Sequence, residues 1–244
     1  MKVIINADDF GYSNEVNTAI LQALRVNLIS STTLLPNMSG FEGAIAIAKA
    51  KEFSGRVGVH LNLFEGSPLT EEMKKCRTFS DELGRFHQQA IKFYEPLKVG
   101  RKVIYRELYA QIEKVINAGI IPTHLDSHAH RHTNFFIGSE VIKLAKHFKI
   151  PAIRISGNIR SSRVSNIKAD LYNLRLKING IKQVNYLGSI PEVTATLEKL
   201  NGTIEVISHP VYKEGHLTDM EYPGELAELL LPFLGNEIIS YYDI

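Results

Sequence analysis

The chain has 244 residues, enough to bury a substantial core, and its 44% hydrophobic and 22% charged residues exclude a disordered or membrane-embedded chain. Its net charge is +2 and its Lys and Arg are scattered, which leaves no electrostatic footprint for nucleic acid. The single cysteine, Cys76, excludes an internal disulfide and fits a reducing compartment. With no charged n-region and apolar h-region before the first strand, a cytoplasmic location is expected.

Lys2 to Asp8 reads as a buried parallel strand, a β-branched apolar run that stops at Asp8-Asp9-Phe10-Gly11. Ser13 is a good N-cap, and Val16, Ala19, Ile20, Ala23 and Leu24 recur at helical spacing, so a helix is expected from Asn14 to Asn27. A strand at Ser31 to Leu35, a helix at Phe41 to Lys51 and a strand at Arg56 to Leu63, carrying His60 near its end, follow. Phe64 to Gly100 has weak periodicity and is punctuated by Gly66, Pro68, Gly84 and Pro96. A connection of that length is expected to form a wall or lid over a ligand.

A helix from Arg101 to Ala118, closed by Gly119, leads into Pro122-Thr-His-Leu-Asp-Ser-His-Ala-His-Arg-His132. In an extended chain, alternate residues share a face, so His124, Asp126, His128, His130 and His132 are expected on one side of a strand end. Beyond it come a helix at Phe135 to Phe148, a strand at Pro151 to Ile155 and a basic insertion at Gly157 to Gly180 with room for one helix near Arg163 to Lys177. A short strand near Gln183 to Leu187, a helix at Pro191 to Leu200 and a strand at Thr203 to Ser208 follow, the last ending on His209-Pro210. A helix at Gly224 to Leu231 and a strand at Glu237 to Tyr242 complete the pattern, with no internal repeat and no linker.

Alternating strands and helices predict an α/β fold in one domain spanning 1–244, with mainly parallel strands. Asp8, Asp9, His60, His128, Arg154 and His209 all fall at or just after strand carboxyl ends, which form a single rim in a (β/α) barrel. An open doubly wound sheet would produce the same coincidence, but no Gly-rich phosphate loop follows the first strand, and Asp-Asp there would repel a phosphate. One carboxylate and two imidazoles leave coordination positions open, as in a catalytic metal site, and the second of two adjacent carboxylates is free to act as a base. Taken singly, each residue has a plainer role: Asp8 or Asp9 as a helix cap, His60 as a core histidine, Arg154 as an ion-pair partner, His209 as a turn residue. Their joint placement is what argues for a site.

Asn6-Ala-Asp-Asp-Phe-Gly11, Gly58-Val-His-Leu-Asn-Leu63, Thr123-His-Leu-Asp-Ser-His-Ala-His-Arg-His132 and Ser208-His-Pro210 resemble, in order and spacing, the motifs of the YdjC-like carbohydrate deacetylases, which include the chitooligosaccharide deacetylases. The resemblance covers nearly the whole chain. It implies a distorted (β/α) barrel and metal-dependent removal of an acetyl group from an N-acetylated sugar such as chitobiose. By motif position it implies Asp9, His60 and His128 as ligands of one divalent ion, Mg2+ or Zn2+. Asp8 would be the general base and His209 the general acid, with Arg154 orienting Asp8, and His130 and His132 are candidates for outer or substrate contacts. The implied partner is a small acetylated amino sugar or oligosaccharide, without nucleic acid or membrane, and a homodimer is left open. The family pattern has an arginine before the Glu-Leu pair of the last helix, whereas this chain reads Tyr222-Pro-Gly-Glu-Leu226. That departure bears on the substrate contacts of one corner. A metal-dependent phosphoesterase on a similar barrel and a non-catalytic sugar-binding relative are the competing classes.

Overall fold

A computed structural model of the protein describes residues 1–49, 53, 55–89, 95–159 and 163–244, with the side chains of 163–166 excepted. In chain order it contains β1 (Lys2–Phe10), α1 (Asn14–Arg25), β2 (Ser31–Leu34), α2 (Phe41–Ala48), β3 (Val57–Leu61), α3 (Glu71–Lys74), α4 (Glu95–Val99) and α5 (Arg101–Asn117). These are followed by β4 (His124–Ser127), α6 (Phe135–His147), β5 (Ala152–Ile153), α7 (Arg163–Ile178), β6 (Tyr186–Ser189) and α8 (Ile190–Thr194). The remainder is β7 (Thr203–Ser208), the pair β8 (Pro210–Lys213) and β9 (His216–Asp219), α9 (Leu226–Leu234) and β10 (Glu237–Ile238).

The strands of the main sheet run β5-β4-β3-β2-β1-β7-β6, with β10 added beside β1, and every pairing in it is parallel. A parallel bridge from Ala152 of β5 to Lys182, just ahead of β6, links the two edges of the curl. The result is a mainly parallel α/β sheet curled into a distorted barrel, as the alternation of strands and helices predicts. All strand carboxyl ends therefore converge on one rim.

Local chemistry accounts for the elements. Ser13 caps α1 by accepting from the Val16 N–H at 3.3 Å, and α1 buries the predicted face of Val16, Ala19, Ile20, Ala23 and Leu24. Asn134 caps α6 by accepting from the Phe136 and Ile137 N–H groups. A Cβ at Gly58 would lie 2.5 Å from a carbon of the His124 ring and 2.8 Å from the His124 carbonyl oxygen, so β3 and β4 pack this closely only with glycine there. Among the described residues, no helix is long and apolar enough to cross a membrane.

Several boundaries differ from the sequence reading. The histidine stretch stays extended only through Ser127. His128–Thr133 is a 3-10 segment in which Ala129 and His130 both take left-handed backbone at φ 51°, so the alternation ends and the five side chains do not share a face. The hairpin β8–β9 was not anticipated. Its two-residue loop, Glu214-Gly215, has φ 51° and 84°, the double positive φ of a type I′ turn. The long connection 64–100 holds the short helices α3 and α4, and its residues 90–94 lie outside the described ones, as do the end of the helix expected to reach Lys51 and residues 160–162 of the insertion.

Candidate active site

Across the β1–β2 pairing, Ala7 faces Thr32 and Phe10 faces Leu34, so β1 carries one extra residue. Asp9 absorbs it in the left-handed region at φ 68°, which aspartate tolerates better than most residues with a Cβ. Neighbours in a regular strand point to opposite faces. Here the bulge lets Asp8 and Asp9 line the same cavity of about 360 Å³ while their carboxylates meet different partners.

Asp9 faces two imidazoles. Its Oδ1 lies 2.8 Å from Nδ1 of His128 and 3.3 Å from Nε2 of His60, and one donor atom from each of the three residues falls within 4.8 Å of the others. The opposite nitrogen of each ring is held by a carboxylate: Nδ1 of His60 lies 2.7 Å from Asp126, and Nε2 of His128 lies 2.9 Å from Glu65. Thr33 donates to Asp126 at 3.0 Å and stands 3.1 Å from the same His60 nitrogen. Two imidazoles and a carboxylate, with each ring anchored from behind, are a donor set that fits a divalent cation. Burial alone would lower the basicity of both rings. The surrounding carboxylates outweigh it, Asp126, Asp8 and Asp9 holding His60 up to about 10 and Asp9 and Glu65 holding His128 up to about 9. Positive charge is therefore favoured at this point of the structure.

Asp8 meets a fork. Arg154 donates to its Oδ2 from Nη1 at 2.7 Å and to its Oδ1 from Nη2 at 2.6 Å, and Asn6 donates to Oδ1 at 2.8 Å. Burial would push this carboxyl up, but the Arg154 guanidinium overrides it and holds Asp8 well below the usual carboxylate range. Arg154 is itself fully buried and also pairs with Asp126 at 2.8 Å and Glu205 at 2.7 Å. Glu205 accepts in turn from the Tyr241 hydroxyl, and burial, only partly opposed by Arg154, raises Glu205 to about 7.

His209 follows β7. Its backbone N–H donates to Asp219 at 2.7 Å, the residue lines the cavity, and its buried Nδ1 has no partner among the described residues. Of the remaining histidines in the stretch, only His130 lines the cavity. His124 is stacked on Tyr241 with ring centroids 3.6 Å apart, and burial pushes it down to about 3. His132 is buried against the Ser127 hydroxyl at 2.7 Å. Leu187, Gly188, Ser189 and Glu192 supply another wall, from β6 and α8, while Met220 and Glu221 supply one from beyond β9.

Among the described residues, none between 64 and 100 lines the cavity, whose walls there come from the β6–α8 corner and the residues after β9. The segment reaches the centre, among the described residues, through Glu65 and through the Phe64 ring, which packs on His128. Sequence reading missed Glu65, Glu205 and Thr33. Glu205 carried a signal, a lone acidic residue in the otherwise apolar Ile204 to Ile207; Thr33 carried none, because Thr is ordinary in strands.

The sequence profile of the family described as YdjC-like protein matches residues 2–232. The chain belongs to the YdjC-like family. Among its relatives, a protein named carbohydrate deacetylase 1 of Listeria innocua is 33% identical over 262 residues, covering 100% of both chains. A carbohydrate deacetylase of Clostridium beijerinckii is 32% identical over 99% of this chain and 94% of its own length. A Brevibacillus brevis protein of the same name is 40% identical over 62% of this chain and 58% of its own length. A solved structure from Enterococcus faecalis, provisionally named a cellobiose-phosphate cleavage protein, superposes with a TM-score of 0.77 at 25% identity, covering 99% of this chain and 98% of the other. A lactam utilization protein of Thermus thermophilus shares the fold at a TM-score of 0.54 and 14% identity.

Proposed function

We infer that this YdjC-like chain is a carbohydrate deacetylase, a hydrolase of the amide bond of an N-acetylated sugar. The finer assignments, also proposed, are one divalent cation, Mg2+ or Zn2+, held by Asp9, His60 and His128, and an N-acetylglucosamine-containing oligosaccharide such as chitobiose as substrate. The observation that carries the proposal is that Asp8, His209 and the three-donor cluster all line one cavity.

Amide hydrolysis needs a proton taken from the attacking water and a proton given to the departing nitrogen. When bound, the cation would supply Lewis acidity to the acetyl carbonyl and to water. Asp8 is the base: Arg154 and Asn6 keep its carboxylate ionised and fixed in direction, so it is ready to accept a proton whenever substrate is bound. His209 is the acid, a proton-transfer group that lines the same cavity as Asp8 but comes from the end of β7. Arg154 is not itself among the residues that line the cavity and acts through Asp8, which makes it a positioning residue.

The lining also bears on substrate charge. Among the described residues it contains Asp8, Asp9, Glu192 and Glu221 but no lysine or arginine. A phosphorylated sugar would meet carboxylates there, whereas a neutral acetylated sugar would not, and its amine product would be welcomed as a cation. This disfavours the phosphoesterase alternative. Acetate and phosphate release should be assayed in parallel on panels of N-acetylated and phosphorylated sugars. Acetate from the first panel alone is the expected result; phosphate release, or neither product, would reject the assignment.

A further inference from the structure

Glu65 is nearly buried, at 8% exposure, one residue ahead of the turn glycine Gly66, and its two oxygens have separate tasks. Oε2 accepts from the Gln88 amide at 3.1 Å and from the Tyr12 hydroxyl at 3.4 Å. Oε1 stands 2.9 Å from Nε2 of His128, and the other nitrogen of that ring stands 2.8 Å from Asp9. The Phe64 ring packs on His128 with centroids 5.5 Å apart, and the Arg131 guanidinium covers Phe64 at 4.8 Å. The ring is thus held at both nitrogens and on a face.

We propose that Glu65 is a positioning residue for the cation site: it keeps the Nε2–H of His128, so that when a cation displaces the Nδ1 proton the ring is left in the tautomer whose Nδ1 lone pair is directed at the point shared with Asp9 and His60. The proposal rests on the inference that Asp9, His60 and His128 hold a cation. An imidazole can offer only the nitrogen that carries no proton, and which one that is follows from the hydrogen bond made by the other. Asp126 performs the same task at Nδ1 of His60, so the two rings present opposite nitrogens to a common point. Among the described residues, Glu65 belongs neither to the Asp9-His60-His128 donor cluster nor to a second one of Asp8, His60 and Asp126, and it meets only the far nitrogen of His128, so it works from behind the ring and not as a ligand. Backbone hydrogen bonds from Phe86 to Gly66 and from Gln88 to Phe64 hold the far side of this segment against Glu65. The segment after β3 therefore supports the cation site from behind instead of roofing the cavity.

The test is a Zn2+ titration by calorimetry of the full chain and its Glu65→Gln, Glu65→Leu and Asp9→Asn variants, each checked for folding by circular dichroism. Glu65→Gln retains an uncharged acceptor and should lose about 10-fold in affinity, and Glu65→Leu about 100-fold, the span found for outer carboxylates behind metal-bound histidines. Long-range 15N NMR of the Zn2+-loaded protein should show His128 protonated at Nε2 alone in the wild type. Glu65→Gln gives this second readout should Glu65→Leu fail to fold. Wild-type affinity and an unchanged tautomer in the Glu65 variants, with Asp9→Asn impaired, would overturn the role of Glu65 and leave the cation site standing. Loss of binding in Glu65→Gln as complete as in Asp9→Asn would make Glu65 a ligand and also overturn it. A folded wild type that takes up no divalent ion would instead overturn the cation site itself.

Discussion

At the scale of single residues, charge decides most of what the centre does. Asp8 and His209 approach one cavity from β1 and from the end of β7, so Asp8→Asn and His209→Ala should each lower kcat by about 10²–10⁴-fold, the usual range for a general base or acid. Ion uptake should persist in both, and the double variant should lose less than the product of the two effects because both groups serve one cycle. A near-wild-type rate in folded His209→Ala would transfer the acid role to water or to His130. His60 and His128, held up to about 10 and about 9 in the ion-free protein, give a second expectation. Their raised basicity contributes stability that is fully present below the unfolded-state value of about 6.5 and is lost as pH rises through the folded values. Chelator-treated protein should thus melt at progressively lower temperature from about pH 7 to pH 10, whereas Zn2+-loaded protein, whose ligand nitrogens carry no proton to lose, should hold its Tm. Parallel scanning calorimetry of the two forms across this range checks it; equal slopes would mean that the rings are neutral without the ion.

At the scale of elements, the connection after β3 is anchored by a buried acid on α5. Glu107 accepts from the Leu69 N–H at 2.9 Å, the Thr70 N–H at 2.8 Å, the Thr70 hydroxyl at 2.7 Å and the Gln111 amide at 2.9 Å. Glu107→Ala leaves these donors without their acceptor and should cost at least about 2 kcal/mol in a urea titration, since each hydrogen bond to a charged group is commonly worth about 1.5–3 kcal/mol. An unchanged midpoint would show that water replaces the carboxylate freely. The elements themselves were legible where period and punctuation agreed, as in α1 between Ser13 and Arg25, and in β1, β3 and β7, whose apolar runs end on Asp8, His60 and His209. The His128 to Thr133 turn was not legible, because alternation of histidines imitates a strand and nothing local announces left-handed backbone at Ala129. The β8–β9 hairpin carried its signal in Glu214-Gly215 between short strands, but its outer residues are too exposed to alternate cleanly.

At the scale of the whole molecule, Arg154 joins β5 to β1, β4 and β7 by pairing with Asp8, Asp126 and Glu205. Its leg to Asp8 was implied by the family resemblance, but those to Asp126 and Glu205 could not be read from sequence, since acids so far apart in the chain show no spacing until the sheet curls. Its removal should be felt globally. Arg154→Met should destabilise the protein by about 3–5 kcal/mol at pH 7, the usual result of stripping the partner from buried charge. The loss should shrink toward acid pH as the carboxylates take up protons. Arg154→Lys should recover only part of it, because an ammonium cannot reproduce the two-pronged contact with Asp8. Denaturant titrations at pH 7 and pH 5 measure both effects, and a pH-independent loss would assign it to packing.

The extra residue in β1 has a consequence for inheritance. Because Ala7 pairs with Thr32 and Phe10 with Leu34, the two carboxylates owe their common outlook to one surplus position in a strand whose register is otherwise regular. Loss of a single codon from the segment 8–9 would not merely delete an acid. It would restore ordinary alternation, and the surviving aspartate could no longer stand for both. The two acids of the proposed centre thus depend on a single surplus position, so one in-frame deletion would remove one of them and turn the register of the other.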